Sequence, residues 1–341
     1  MARSGATAQI KEDVCPQCGG KVAQKAKFCT HCGYKLSAAG TPLAFPKVSE
    51  TREERKAKDT ILARLKELND PLSNPEHASI DDLFTLITQE AVPFGEIQEF
   101  LLPLLEHPYR PLREKVAGVL VSDELGRKKF LELLNDDRNW VRSTVIRALG
   151  RGKVASVVPT LMFLFDSEDD IWVRRDILFA LGEIKEIQAF NLLMRALMLE
   201  ESELVSAAAQ ALTVLGDPAA VKYLIPQLSH KDHQVVHCIE DALHSFGKQS
   251  VQPLLAVFGD VRTPPLLKKK ILGLIINIPD PMAAPLLINA LAEQKDLAVD
   301  LMKVMAAWKF PEFIPALQQI TESPERTLRI AALGALRQFG S

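Results

Sequence analysis

NDDRNWVRSTVIRALGRGKVASVVPTLMFLFDSEDDIWVRRDILFALG, residues 135–182, contains one phrase written twice. VRSTVIRALG (141–150) and VRRDILFALG (173–182) each open on Val-Arg, carry an alanine seven positions later and close on Leu-Gly. Spacings of three, four and seven place the apolar side chains of each phrase on one stripe of a helix. An acidic turn precedes both, NDDRN (135–139) and SEDD (167–170), and short carboxylate side chains there can cap a helix start.

The same phase runs through most of the chain. Apolar residues seven apart recur as Ile80/Ile87, Leu112/Val119, Val141/Ala148, Val173/Ala180, Leu204/Ala211, Val235/Ala242, Leu267/Leu274, Leu297/Val304 and Leu328/Ala335. Successive anchors are 32, 29, 32, 31, 31, 32, 30 and 31 residues apart. Twenty residues after six of them stands a leucine: Leu161, Leu193, Leu224, Leu255, Leu287 and Leu317. A second helix per unit follows, as in AAVKYLIPQL (219–228) and MAAPLLINAL (282–291). Pro159, Pro253, Pro285 and Pro315 recur eighteen residues after an anchor, near the start of that second helix, where a missing N–H costs little. One such helix pair cannot bury its own stripe, whereas stacked neighbours can. The sequence therefore predicts an all-α solenoid.

Four of the five cysteines lie in CPQCGGKVAQKAKFCTHCGYKL (15–36). Cys15/Cys18 and Cys29/Cys32 are two Cys-x-x-Cys turns, each followed by a glycine, and two such turns facing each other make a tetrahedral four-thiolate site that suits one structural zinc ion. A disulfide scaffold would require export. A thioredoxin-type centre would have one pair in a βαβ setting. His31 sits inside the second turn as a bystander, because four thiolates already fill the shell. A fold of this size needs its metal in place of a core.

Residues 12–36 resemble the short N-terminal zinc ribbons with the pattern CPxCG…FCxxCG, here Cys15-Pro16-Gln17-Cys18-Gly19 and Phe28-Cys29-Thr30-His31-Cys32-Gly33. The resemblance implies a small β ribbon. Val141-Arg142 and Val173-Arg174, with acidic residues about five positions earlier, resemble HEAT repeats, and the period of about 31 residues is similar to that of the phycobilin-lyase variety. That resemblance covers residues 78–341 and implies a right-handed α-solenoid of about eight helix pairs plus a terminal capping helix. The arginine position holds Val205, Val236, Lys268 and Ala298 in later units, so an Asp–Arg ladder would be interrupted there. Between ribbon and solenoid, residues 37–77 read as a linker with a charged helix at about 52–68.

Charge is split along the chain. Residues 1–68 carry 13 Lys+Arg against 7 Asp+Glu, and residues 69–341 carry 28 against 36. MARSGATAQIKEDV (1–14) holds no apolar core of signal-peptide length. The most apolar later stretch, ILGLIINIPDPMAAPLLINAL (271–291), is interrupted by Pro279, Asp280, Pro281 and Pro285. The expectation is a soluble, cytoplasmic protein with no membrane span.

Chemistry in the body is sparse. His230, His233, His237 and His244, with Cys238, Glu240 and Asp241 nearby, form the one cluster with ligating potential, and repeat phase reads them as surface residues of a helix. HEAT-like di-iron hydroxylases use His-Glu pairs at a repeated phase, and this chain has no His-Glu dipeptide. No phosphate loop or nucleophile elbow occurs. Lys268, Lys269 and Lys270 read as a solvated face. Trp140 and Trp172 each stand one residue before an anchor in adjacent repeats. They read either as buried side chains closing a turn, or as an aromatic, acid-flanked ridge for a protein partner. Arg195, Gln227, Asn289 and Gln319, on second helices, offer a mixed polar surface.

These features favour a non-enzymatic adaptor: a solenoid surface binding a protein partner, with the zinc ribbon as a tethered module. Two other readings differ in kind. One is a nucleic-acid-associated protein using the basic arm, opposed by the acidic solenoid, which repels phosphate. The other, implied only by the repeat resemblance, is a lyase or chaperone-like factor for a chromophore-bearing protein.

Overall fold

A computed structural model describes residues 52–70, 77–89 and 94–340. Regular structure among the described residues is helical throughout. Cys15, Cys18, Cys29 and Cys32, and with them the expected ribbon, lie outside the described residues.

The described chain opens with α1 (Arg52–Leu68) and α2 (His77–Gln89). The chain divides into two compact units, residues 1–64 with 85–92 and residues 65–84 with 93–341. The described part of the first comprises α1 up to Arg64 and α2 from Thr85, with Ile61 and Ile87 buried.

The second unit continues through α3 (Phe94–Leu101) into seven helix pairs. These are α4 (Arg110–Leu120) with α5 (Glu124–Leu133), α6 (Asn139–Arg151) with α7 (Val158–Ser167), and α8 (Ile171–Ile184) with α9 (Phe190–Ala196). They continue as α10 (Ser202–Leu215) with α11 (Val221–Leu224), α12 (His233–Ser245) with α13 (Lys248–Gly259), α14 (Pro265–Ile275) with α15 (Ala284–Glu293), and α16 (Ala298–Trp308) with α17 (Ile314–Ile320). The unit ends on α18 (Arg326–Phe339). First helices pack on their successors: α6 on α8, α8 on α10, α10 on α12, and α16 on α18.

The repeat phase sets both the helix starts and the core. From α4 onward, first helices begin two residues before the anchor, except α16, which starts one residue after Leu297, behind a 3-10 turn at Lys295–Leu297. Leu112, Val141, Val173, Leu204, Val235, Leu297 and Leu328 are buried, and so are all six leucines twenty residues after an anchor. The core is thus a file of anchors and leucines repeated once per helix pair. Where α6 meets α8 and α8 meets α10, the backbones nearly touch. A Cβ on Gly150 would lie 2.7 Å from the Ala180 Cα, and one on Gly182 would lie 2.8 Å from the Ala211 Cα.

A side-chain device closes the turns before the first helices. Five residues before the anchor an acceptor takes the backbone N–H two residues on: His107 Nδ1 from Tyr109 at 3.1 Å, Asp136 from Arg138 at 2.9 Å, Glu168 from Asp170 at 3.0 Å, His230 Nδ1 from Asp232 at 3.0 Å, and Ser323 from Glu325 at 3.2 Å. One residue after the anchor, an arginine reaches back to the carbonyls of the same turn. Arg113 donates to His107 O and Pro108 O, both at 2.7 Å, and Arg142 to Asp136 O at 2.7 Å and Asp137 O at 3.2 Å. Arg329 donates to Ser323 O and Pro324 O, both at 2.8 Å. Each guanidinium satisfies carbonyls that the turn leaves without a helical partner. The SEDD turn caps as expected, Asp170 accepting from the N–H of Trp172 and of Val173. In NDDRN the residue at the helix start is Arg138, which makes no side-chain cap, and Asp136, two residues earlier, accepts the Arg138 N–H instead.

Three local features depart from the sequence expectation. AAVKYLIPQL holds only the four-residue α11, followed by a 3-10 stretch at Ile225–Ser229. Pro226 lacks the N–H that an α-helix requires and its ring crowds the preceding turn. Pro253 lies inside α13 rather than at its first turn, because that helix begins at Lys248, directly after Gly247 with φ 55°. Lys268 is buried, not solvated: its ammonium lies 5.6 Å from the Phe258 ring centroid and donates to Gln294 Oε1 at 3.3 Å. It occupies the phase of Arg113 and Arg142, which faces inward.

Candidate functional site

The N-terminal ends of α4, α6 and α8 border one open groove of about 270 Å³. Trp140 and Trp172, each the second residue of its helix, line it together. Trp140 is half-buried, whereas Trp172 keeps 52% of its surface exposed. The expectation of two buried rings therefore holds for neither, and Trp172 in particular is a surface side chain. It stays outward because the next residue, Val173, is the anchor that fills the core.

Arginines dominate the polar lining. Arg113 places its guanidinium carbon 4.3 Å from the Trp140 ring centroid, and Arg175 places its own 4.7 Å from that of Trp172. Such contacts are attractive through the ring quadrupole and hold the rings in position. Arg147 bridges three helices, meeting Glu114 of α4 at 3.1 Å and Asp176 of α8 at 2.8 Å. Glu114 also accepts from Arg110 at 2.8 Å, and Asp176 lies 3.3 Å from Arg175. At the rim, Asn139 donates to Asp170 at 2.6 Å.

Charge crowding shows in the protonation equilibria. Burial, followed by the charges of Arg147 and Arg110, lowers Arg113 to about 10. Burial works to raise Glu114, but the hydrogen bond from Arg110 and the charges of Arg147 and Arg110 outweigh it and leave Glu114 below its ordinary value. The hydrogen bond from Asn139 is the largest contribution to the lowered value of Asp170.

The other sequence candidates lie elsewhere. Arg195 pairs with Asp166 at 2.6 Å, Gln227 donates to Met198 Sδ at 3.7 Å, and Asn289 is exposed. All three belong to second-helix segments and do not line the tryptophan groove. The histidine cluster does not converge. His237 pairs with Asp241 at 3.0 Å on an exposed face, His230 serves its turn, and among the described residues no group of three or more His, Cys, Asp or Glu could hold a metal ion. Cys238 is partly buried and accepts from Gln210 at 3.7 Å.

Arg110, Arg113, Arg147 and Arg175 were not among the residues singled out in the sequence. Their signal was periodicity: Arg147 stands seven residues after Trp140, and Arg175 three after Trp172, so each shares a helix face with its tryptophan.

Comparison with known families accounts for the repeat. Residues 127–213 and 158–244 match the HEAT-repeat family. Residues 127–244 are HEAT repeats. The tryptophan groove thus spans the α4, α6 and α8 positions of successive first helices, with α6 and α8 inside the matched HEAT repeats. Residues 14–36 match the zinc-ribbon domain, and that segment holds all four clustered cysteines. Several solved structures are similar to this chain. Human deoxyhypusine hydroxylase is 17% identical with a TM-score of 0.33, over 73% of this chain and 99% of that one. The complex of CpcE and CpcF of phycocyanin lyase from Nostoc is 18% identical with a TM-score of 0.37, over 71% and 93%. Importin beta is 15% identical with a TM-score of 0.44, over 84% and 46%. No curated protein matches the sequence. No helix among the described residues is long and apolar enough to cross a membrane.

Proposed function

We propose that the chain is a cytoplasmic, non-enzymatic adaptor whose HEAT repeats hold a protein partner at the Trp140–Trp172 groove. HEAT repeats form extended scaffolds, and function must be argued from sites upon them. The observation that carries this reading is the half-exposed Trp172 beside Trp140 in a groove walled by arginines. Tryptophan and arginine are the side chains most enriched at the energetic centres of protein interfaces. Arg195, Gln227 and Asn289 supply a second, polar surface. The ribbon, with one structural zinc ion on Cys15, Cys18, Cys29 and Cys32, adds a tethered module, and two weak contacts on one tether raise effective concentration.

The test is affinity purification from native cells with the full chain, the chain without residues 1–50, Trp172→Ala, and Trp140→Ala with Trp172→Ala. A defined protein retained by the full chain and by a Glu293→Ala surface control, but lost with the tryptophans, supports the groove. Undiminished retention by both tryptophan variants overturns it.

A further inference from the structure

We propose that the Trp140–Trp172 groove receives an acidic protein segment, with a carboxylate held by Arg110 and Arg175 and an apolar side chain laid against Trp172. The inference rests on reading the groove as a partner site and adds the chemistry of what binds there.

The groove is electrostatically unfinished. Four guanidiniums, those of Arg110, Arg113, Arg147 and Arg175, border it. Two carboxylates, Glu114 and Asp176, pair with three of them. Asp170 is already engaged by Asn139 and by the N–H groups of Trp172 and Val173. Arg113 is 4% exposed and donates to neutral acceptors, the His107 and Pro108 carbonyls and the Thr144 hydroxyl. Its proton is held less tightly than an ordinary arginine's because of burial and the neighbouring arginines. An incoming anion offsets the repulsion from the neighbouring arginines. Arg147 Nε and Arg175 Nε are buried and donate to nothing in the protein. Arg110, by contrast, keeps 66% of its side chain in solvent, so a ligand can reach it. Guanidinium groups match carboxylates through paired N–H donors, and the match strengthens where water is excluded.

The surroundings select a short acidic peptide over a long polyanion. The end of α7 carries Asp166, the turn leading into α8 carries Glu168, Asp169 and Asp170, and residues 69–341 hold 28 basic against 36 acidic residues. A phosphate chain running out of the groove past Asp170 would meet the rest of that acidic stretch, whereas one or two acidic side chains held at Arg110 and Arg175 would not. About 270 Å³ lies just below the usual range for small-ligand pockets and is open to solvent, which suits side chains presented by a peptide. Trp172 supplies the apolar contact that a bare anion would leave unused.

The experiment selects random 12-residue peptides displayed on phage against the immobilised full chain. Selected peptides are then synthesised with their acidic residues intact and with Asn or Gln in their place. The expected result is a pool rich in Asp and Glu next to aromatic or aliphatic residues. Their amide versions should bind at least tenfold more weakly. Arg110→Gln, Arg175→Gln and Trp172→Ala should each lose at least fivefold while keeping the helical signal and melting temperature of the parent. Peptides that depend on Trp172 but carry no acidic excess overturn this inference and leave the partner site standing. Peptides that bind Trp172→Ala and Arg110→Gln with Arg175→Gln as well as the parent overturn both, as does a selection that yields none dependent on Trp172. Displacement of a selected peptide by a 20-nucleotide single-stranded DNA at equal concentration overturns the acidic-peptide assignment in favour of phosphate.

Discussion

Arg142 donates from Nε and Nη2 to the two carboxylate oxygens of Glu168, at 2.8 and 2.7 Å, across the boundary between consecutive repeats. Both side chains are largely hidden, 14% and 5% exposed. Each also serves its own turn, Arg142 through the carbonyls of Asp136 and Asp137, Glu168 through the N–H of Asp170. The pair therefore ties one inter-helix turn to the next. Removing one partner leaves the other charge desolvated and uncompensated. The cost for a buried pair is about 3–5 kcal/mol, and the residual exposure here puts the expected loss near the bottom of that range. Glu168→Ala should lower the unfolding free energy by about 3 kcal/mol in urea denaturation followed by circular dichroism. A cycle with Arg142→Met should return a coupling of about 1–3 kcal/mol. A loss below about 0.5 kcal/mol for either variant would reduce the pair to an ordinary surface contact.

Gly182 offers a second test, of packing rather than charge. An added methyl group would sit 2.8 Å from the Ala211 Cα and 2.9 Å from the Ala211 carbonyl oxygen. Backbone atoms cannot swing aside as side chains can, so α8 and α10 must separate. Gly to Ala in an exposed helix interior normally stabilises by about 1 kcal/mol through propensity. Overpacking normally costs about 1–3 kcal/mol, so the steric effect should win. Gly182→Ala should lower the melting temperature, while Gly273→Ala, which meets no atom within 4 Å, should not.

The repeat was legible because helical periodicity and a constant period act over hundreds of residues. Leu161, Leu193, Leu224, Leu255, Leu287 and Leu317 are buried for the reason their phase announced. Local chemistry was harder to read. Asp136, Glu168, His107, His230 and Ser323 look unrelated as letters, yet all do one thing, accept an N–H two residues on. Accepting capacity is shared across residue types, so a search for conserved letters misses it. Lys268 was misread because a lysine run suggests solvent, whereas its repeat phase faces inward. The two tryptophans were found, but the choice between buried turn and exposed ridge stayed open, because burial at the helix start depends on the neighbouring helix. The arginine wall becomes visible only when α4, α6 and α8 are laid side by side.

His107 should make the solenoid sensitive to mild acid. Its Nδ1 accepts from the Tyr109 N–H, its Nε2 is buried without a partner, and its carbonyl anchors Arg113. Burial, and after it the charge of Arg113, lowers its pKa below the ordinary 6.5. A histidine that resists protonation in the folded state contributes stability that is fully present above its unfolded pKa. That contribution falls away as pH drops from about 6.5 through the folded value, because the unfolded chain binds the proton first. The urea midpoint should therefore fall between pH 7.5 and pH 5 by more in the parent than in His107→Asn, whose amide oxygen can take the same N–H but does not titrate. Equal pH dependence in the two proteins would remove His107 from any role in acid sensitivity.

Zinc should belong to the ribbon and leave the HEAT repeats indifferent. The matched zinc-ribbon segment, residues 14–36, contains Cys15, Cys18, Cys29 and Cys32 in two Cys-x-x-Cys turns. Thiolates bind zinc far more strongly than thiols, so metal loading should depend on all four being deprotonated together. Fresh protein should carry about one equivalent by atomic emission, and Cys29→Ser should carry less than half of one. The HEAT repeats have their own core of anchors and leucines, so the helical signal and main melting transition should survive chelation. Thiol titration supplies the complementary readout: one slowly reacting thiol, Cys238, in the loaded protein, and four more once a chelator is present. Five freely titrating thiols in fresh protein, with less than half an equivalent of zinc, would exclude the four-thiolate site. Loss of the helical transition on chelation would instead show that the ribbon's metal supports the repeats, contrary to the independence expected of two separately built modules.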